Sequence, residues 1–115
     1  MKTSLKKDIY TELFILLVKD GNPTDDELEK LGSDIGEIWV KLGRRLCVSD
    51  PKLKEIDKTH SLLSEKGYHA LREWQHNKGA DGATYQALCD ALQHDLIQRQ
   101  DLADKFCYIK GNYLL

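Results

Sequence analysis

The chain has 115 residues, of which 41% are hydrophobic and 31% charged, and this composition is typical of a single compact domain. Seventeen basic residues oppose nineteen acidic ones, so the net charge of −2 provides no overall positive field to attract nucleic acid or anionic lipid. The longest apolar run, Leu13 to Val18, is too short to span a bilayer and no cleavable leader is expected, so we expect a cytoplasmic protein.

Three widely spaced cysteines, Cys47, Cys89 and Cys107, form no CxxC pair. An odd number of distant thiols favours reduced, buried structural cysteines over a disulfide framework. A zinc or redox site is the less favoured alternative.

The first predicted helix lies between Ser4 and Asp20 and would end at Gly21-Asn22-Pro23. It could pack on the domain, mediate self-association or belong to a neighbouring unit, and packing on the same domain is the favoured reading. Its apolar face comprises Leu5, Ile9, Leu13, Leu16 and Leu17.

Thr24 and Glu27 then form a capping box that predicts the start of the next helix. Gly36 predicts a bend, after which Ile38, Trp39, Leu42 and Leu46 make a further apolar stripe. The chain breaks again around residues 48–51. There Asp50 is the predicted cap, and Pro51 the predicted first residue, of a short helix ending near His60.

The stretch from Ser61 to Lys78 predicts the central helix, with Ser61 as its cap and an end at Gly79 and Gly82. Its buried stripe is predicted to comprise Leu63, Gly67, Ala70, Leu71 and Trp74.

After a loop at residues 78–83, Thr84 is the predicted cap of a helix that buries Tyr85, Leu88, Cys89 and Leu92. A last helix carries Leu102, Ala103, Phe106 and Ile109.

No stretch alternates with a period of two for long enough to predict a strand, so the chain is predicted to be all-α, a compact helical bundle. The predicted structural core comprises Leu31, Trp39, Leu42, Leu46, Ile56, Leu71, Trp74, Leu88, Leu92 and Leu102.

The order of these features resembles the death domain family. The residues that carry the resemblance are Leu31-Gly32, the run from Trp39 to Leu46, Val48-Ser49-Asp50, Ile56, Leu71-Arg72-Glu73-Trp74, Ala83-Thr84, Leu88, Leu92 and Leu102-Ala103. It extends over roughly Thr24 to Lys110. The two tryptophans and the loop before Thr84 are more similar to death domains than to caspase-recruitment, death-effector or pyrin domains.

The resemblance implies a six-helix antiparallel bundle, here with an additional N-terminal helix. It divides the chain into an N-terminal helical extension at 1–22, a death domain at 23–110 and a C-terminal tail at 111–115. It also implies homotypic binding to other death-domain proteins, receptors or adaptors, in apoptotic or innate immune signalling. Self-association is left open, and no cofactor, metal, nucleic acid or membrane insertion is expected.

Charge is unevenly distributed along the sequence. Residues 41–58 contain six basic and three acidic side chains, whereas residues 21–37 contain six acidic and one basic, and residues 81–104 five acidic and one basic. Opposite patches on one domain favour head-to-tail contacts. The predicted partner-binding residues are Lys41, Arg44, Arg45, Asp50, Lys52, Lys54 and Asp104; similarity to the Fas-associated branch of the family supports Lys41, Arg44, Asp50 and Asp104.

Two other functional classes are less favoured. The sequence carries no pattern of catalytic residues. His60, His69 and His94 fall on separate predicted helices or loops, and none of the four histidines, His76 included, has H-x-x-x-H spacing. The segment from Gly36 to Lys58 could instead be a helix-turn-helix that reads DNA, but the acidic balance of the chain opposes this alternative.

Overall fold

The computed structural model describes residues 17–109, and every regular element in this part of the chain is helical, as predicted. The predicted additional N-terminal helix falls mainly on residues 1–16, which lie outside the described residues. The helices are α1 (Asp25–Ile35), continued by a 3-10 turn (Gly36–Ile38), α2 (Trp39–Arg45), α3 (Asp50–Thr59), α4 (Leu63–Gly82), α5 (Tyr85–Gln93) and α6 (Gln100–Phe106).

The described end of the predicted N-terminal helix is not helical. Val18 forms an isolated antiparallel bridge with Tyr108. The Lys19 N–H donates to the Cys107 carbonyl at 2.8 Å, and the Ile109 N–H donates to the Leu17 carbonyl at 2.8 Å. The helix prediction is therefore wrong over residues 17–20, because the C-terminal segment satisfies these backbone groups instead.

Local capping signals set the starts of α1, α3 and α5. The predicted capping box is present, since the Thr24 hydroxyl accepts from the Glu27 N–H at 3.1 Å and the Glu27 carboxylate accepts from the Thr24 N–H at 2.9 Å. Thr84 caps α5 as predicted. The cap of α3 is Ser49, whose side chain accepts from the Lys52 N–H, so the prediction of Asp50 was wrong by one residue. Both side chains can cap, and only the geometry of the preceding turn distinguishes them.

The central helix α4 begins at Leu63 without a side-chain cap, so the prediction that Ser61 caps it was wrong. Gly79 has a positive φ of 67° and interrupts the helix where a break was predicted, and one further helical turn ends at Gly82. Trp74 is buried, but Leu63, predicted to be buried with it, is 42% exposed. The first turn of α4 therefore leaves the core.

The core lies between α4 and the helices around it, with the closest packing between α1 and α4. All ten predicted core residues are buried, including both tryptophans. Cys89 and Cys107 are buried as predicted, whereas Cys47 is exposed, against expectation. Ile109 was predicted on the last helix, but it follows the end of α6 and is 40% exposed.

Candidate protein-interaction surface

Three basic side chains of α2 surround one exposed leucine. Lys41, Arg44 and Arg45 lie at i, i+3 and i+4, so they share one face of the helix. Trp39 and Leu42 bury the other face, which explains why the basic face is turned to solvent. The three cations and Leu96, from the loop between α5 and α6, line a hollow of about 140 Å³. We call these four residues the α2 cluster.

Two charges of the α2 cluster have no counter-ion within residues 17–109. The Arg44 Nε atom lies 3.1 Å from Asp50 Oδ1, but no ion pair in this range involves Lys41 or Arg45. Leu96 is 63% exposed among them. An exposed apolar side chain beside two cations without a counter-ion complements a protein surface that combines carboxylates with an apolar recess.

Two more of the predicted residues, Asp50 and Lys54, lie in a cleft next to the α2 cluster. This α2–α3 cleft has a volume of about 370 Å³, and Arg44 borders both sites. Its charges alternate in sign, so it offers positions for either charge of a partner. The lining residues are Trp39, Val40, Arg44, Asp50, Leu53, Lys54 and Asp57.

The structure does not bring Lys52 and Asp104 to the α2 cluster. Lys52 Nζ lies 2.9 Å from Glu55 and 3.9 Å from Glu73, beside a different cleft between α3 and α4. Asp104 is exposed on α6, where its carboxylate accepts from the Gln100 side chain at 2.9 Å. The predicted residues therefore belong to more than one face of the domain.

Much of the acidic charge predicted on α1 is compensated within the domain. Asp25 accepts hydrogen bonds from Tyr68 and Arg72, which hold the pKa of its carboxyl below the usual value. Three further ion pairs join Asp26 to Lys30, Glu27 to Lys19 and Asp34 to Lys105. Among the described residues, Glu29 and Glu37 remain exposed without an ion pair. The net acidic surface of α1 is thus smaller than the residue count indicates.

Two of the histidines meet, although they were predicted to lie apart. The rings of His60 and His69 stack with centroids 3.9 Å apart and an angle of 9° between their planes. Burial and the neighbouring His60 lower the pKa of His69. His60 and His69 lie on opposite sides of the break between α3 and α4, so a helical spacing in the sequence could not have revealed the contact.

Leu96 is the residue of the α2 cluster that the sequence analysis missed. It follows α5 in a turn, where the His94 imidazole accepts from its N–H at 3.0 Å. Leu96 stands next to Ile97 in this loop, and the sequence carries no signal that shows which of the two is exposed. Only the packing of α5 against α2 brings this loop beside the two arginines.

Comparison with known proteins relates the chain to a protein family and to a human protein. The death domain family profile matches residues 25–109. Human receptor-interacting serine/threonine-protein kinase 1 is 31% identical over 91 residues, which cover 77% of this chain and 13% of that relative. The chain thus spans only a small part of the length of the relative. In addition, none of the helices in the described range is long and apolar enough to cross a membrane.

Proposed function

The chain belongs to the death domain family of protein-interaction modules, which are not enzymes, and on that premise we propose that it binds other death domains through the α2 cluster. The observation that carries the proposal is the grouping of Lys41, Arg44 and Arg45 around the exposed Leu96. The family assignment favours protein binding over DNA binding by a helix-turn-helix as the role of the segment from Gly36 to Lys58.

Two of the four residues in the α2 cluster are arginines, a residue type enriched at interaction hot spots. The exposed Leu96 beside them would lose its contact with water when a partner covers it. The uncompensated charges of Lys41 and Arg45 would accelerate association with an acidic surface and make it sensitive to salt. The preferred partner therefore presents carboxylates around an apolar recess.

A second copy of this chain provides part of that chemistry. Glu29 and Glu37 are exposed on α1 and on the 3-10 turn after it. Contact between this acidic surface of one copy and the α2 cluster of another joins unlike faces. Such contacts propagate into open or helical assemblies unless a rotation closes them. Self-association and binding to a different death domain thus rely on the same surface in this proposal.

The remaining predicted residues have secondary roles. Asp50 and Lys54 extend the proposed contact along the α2–α3 cleft, where Arg44 joins the two sites. Lys52 and Asp104 would serve other faces, since they lie away from the α2 cluster. A domain with several docking faces can hold more than one partner at once, as an adaptor does.

The wider setting is part of the same proposal. We assign the domain to residues 23–110, as a six-helix bundle with an additional N-terminal helix, and expect it to recruit partners in apoptotic or innate immune signalling in the cytoplasm. The three free thiols support a reducing compartment. The similarity of Val48-Ser49-Asp50 to the Fas-associated adaptor supports a role in recruitment, while the relative found by comparison is a receptor-interacting kinase.

Charge reversal at Arg44 tests the proposal. We expect Arg44→Glu to abolish capture of partner death domains, the chain itself included, at physiological salt. The helical spectrum and the melting temperature should stay unchanged, because the exposed pair with Asp50 contributes little to stability. Lys78→Glu makes the same charge change on an exposed residue of α4 that borders neither site, and it should bind normally. Retention of all partners by Arg44→Glu would contradict the proposal.

A further inference from the structure

A second group of polar side chains converges where α3 meets α4, away from the α2 cluster. His60 directly follows α3, and its backbone N–H donates to the Ile56 carbonyl at 3.1 Å. After two residues the chain enters α4, where Glu65 and His69 are one helical turn apart and share a face. This arrangement brings two imidazoles and one carboxylate to one place.

The potential ligand atoms of these three side chains lie close together. One nitrogen of each imidazole and one carboxylate oxygen all fall within 4.8 Å of one another. His69 Nε2 is already 3.7 Å from Glu65 Oε1. Zinc bonds of about 2.0–2.2 Å in tetrahedral geometry separate neighbouring ligand atoms by about 3.4 Å. The 3.7 Å pair is thus already close to the spacing of a tetrahedral zinc site.

We propose that His60, Glu65 and His69 form a binding site for a divalent transition-metal ion, with zinc as the best match. Two imidazoles and a carboxylate suit Zn²⁺, Cu²⁺ or Ni²⁺, whereas Mg²⁺ and Ca²⁺ prefer oxygen ligands alone. Three protein ligands leave at least one coordination position for water or for a ligand atom of a partner.

The surroundings tolerate the added positive charge. The cations Lys52 and Arg72 line the adjoining cleft of about 410 Å³. Lys52 is paired with Glu55 and Glu73, and Arg72 is paired with Asp25 on the far side. These carboxylates reduce the repulsion between the two cations and a bound metal ion.

Metal binding has a defined structural consequence. The stacked rings are nearly parallel, whereas an ion bound by a nitrogen of each ring must lie close to both ring planes. The rings must therefore tilt apart when the metal binds. The ion would also fasten the end of α3 to the first turn of α4 and stabilise the folded chain by mass action.

The test is calorimetric titration of zinc chloride into the tag-free full chain, since a histidine tag would bind zinc itself. We expect one ion per chain, and His69→Ala should weaken the affinity by more than the about 10–100-fold lost when an outer-shell partner of a metal ligand is removed. Glu65→Gln keeps the shape of the side chain and should also weaken binding. Millimolar Mg²⁺ or Ca²⁺ should not compete.

Two matched controls separate this site from other zinc ligands. His76→Ala removes a histidine that lines the same cleft but lies outside the ligand group, and Cys47→Ser removes the exposed thiol. Both variants should bind zinc as the unmodified chain does. In nuclear magnetic resonance spectra, the carbon-bound ring protons of His60 and His69 should shift with zinc as the rings unstack, while those of His76 and His94 stay in place.

The results that would overturn the proposal are equally definite. No zinc binding by the unmodified chain, equal affinity in His69→Ala, or loss of binding in Cys47→Ser would each refute it. In the first two cases the ring stack is a packing contact, and in the third the thiol is the ligand. None of these results bears on Arg44→Glu, so the metal site and the proposed partner surface fail independently.

Discussion

Gly32 of α1 and Gly67 of α4 pack backbone against backbone. A Cβ atom added to Gly67 would lie 2.7 Å from the Gly32 carbonyl oxygen, and one added to Gly32 would lie 2.6 Å from the Tyr68 nitrogen. Such distances leave no room for a side chain at either position. Two glycines thus set the close approach of α1 and α4, around which the other helices pack.

The first prediction is that Gly67→Ala destabilises the fold. Overpacking typically costs about 1–3 kcal/mol, and a Cβ only 2.7 Å from a backbone oxygen that cannot rotate away places Gly67→Ala in the upper part of that range. This cost exceeds the gain in helix propensity of about 1 kcal/mol, so the free energy of unfolding should fall. Gly43→Ala is the control, since its Cβ would meet a methyl group of Leu53, which can move. Urea denaturation should show the larger loss for Gly67→Ala, and equal or greater stability of that variant would refute the close contact.

The second prediction concerns pH and the network at the start of α1. Burial alone would raise the pKa of Glu27, but hydrogen bonds from the Thr24 N–H, the Tyr85 hydroxyl and Lys19 outweigh burial and lower it from 4.5 to about 2. The ionised form is therefore favoured in the folded state. Its contribution is fully present above about pH 5 and is lost as the pH falls towards 2.

Glu27→Gln measures this contribution. The variant should be less stable by at most about 3 kcal/mol above pH 5, and the difference should vanish near pH 2. Glu29→Gln, at an exposed position of the same helix, should show little difference at any pH. A constant difference between Glu27→Gln and the unmodified chain from pH 2 to pH 7 would contradict the role of the charge.

The third prediction is that Asn22 stabilises the turn after Gly79. Its Nδ2 atom donates to the carbonyl oxygens of Ala80 and Ala83, both at 2.7 Å. Asn22→Ala leaves both acceptors without this donor and should cost about 1–2 kcal/mol. Amide hydrogen exchange in this turn should accelerate in the variant, while Asn77→Ala, at an exposed position of α4, should leave exchange unchanged. Equal exchange rates in both variants would refute the prediction.

The fourth prediction places Leu96 at the centre of the proposed partner surface. Leu96→Asp should weaken binding to a partner death domain at least about tenfold, equivalent to about 1.4 kcal/mol, with an unchanged melting temperature. Leu62→Asp is a close control, because Leu62 and Leu96 are both 63% exposed. If the two variants bind the partner equally well, Leu96 does not lie at the centre of the partner surface.

The elements that sequence reasoning located correctly depend on neighbours in the chain. The capping box of Thr24 and Glu27, the cap at Thr84 and the break at Gly79 are each set by a few consecutive residues, so a local pattern predicts them. Apolar periodicity likewise located the buried face of α4 from Gly67 onward. It failed at Leu63, because periodicity does not show where the covering helices end.

The features that it missed depend on residues far apart in the chain. The bridge between Val18 and Tyr108 replaces a predicted helical end with pairing to the other end of the domain. The ring stack of His60 and His69 requires the turn between α3 and α4. The α2 cluster was predicted only as a run of basic residues, and its apolar centre came from a distant loop.

The most direct test of the partner surface is nuclear magnetic resonance mapping of the isotope-labelled chain as an unlabelled partner death domain is added. The amides of Trp39–Arg45 and those flanking Leu96 should shift or broaden first, and this change should diminish as salt screens the exposed charges. Perturbations confined to other helices, with α2 and the Leu96 loop unchanged at saturation, would contradict the assignment of this surface to partner binding.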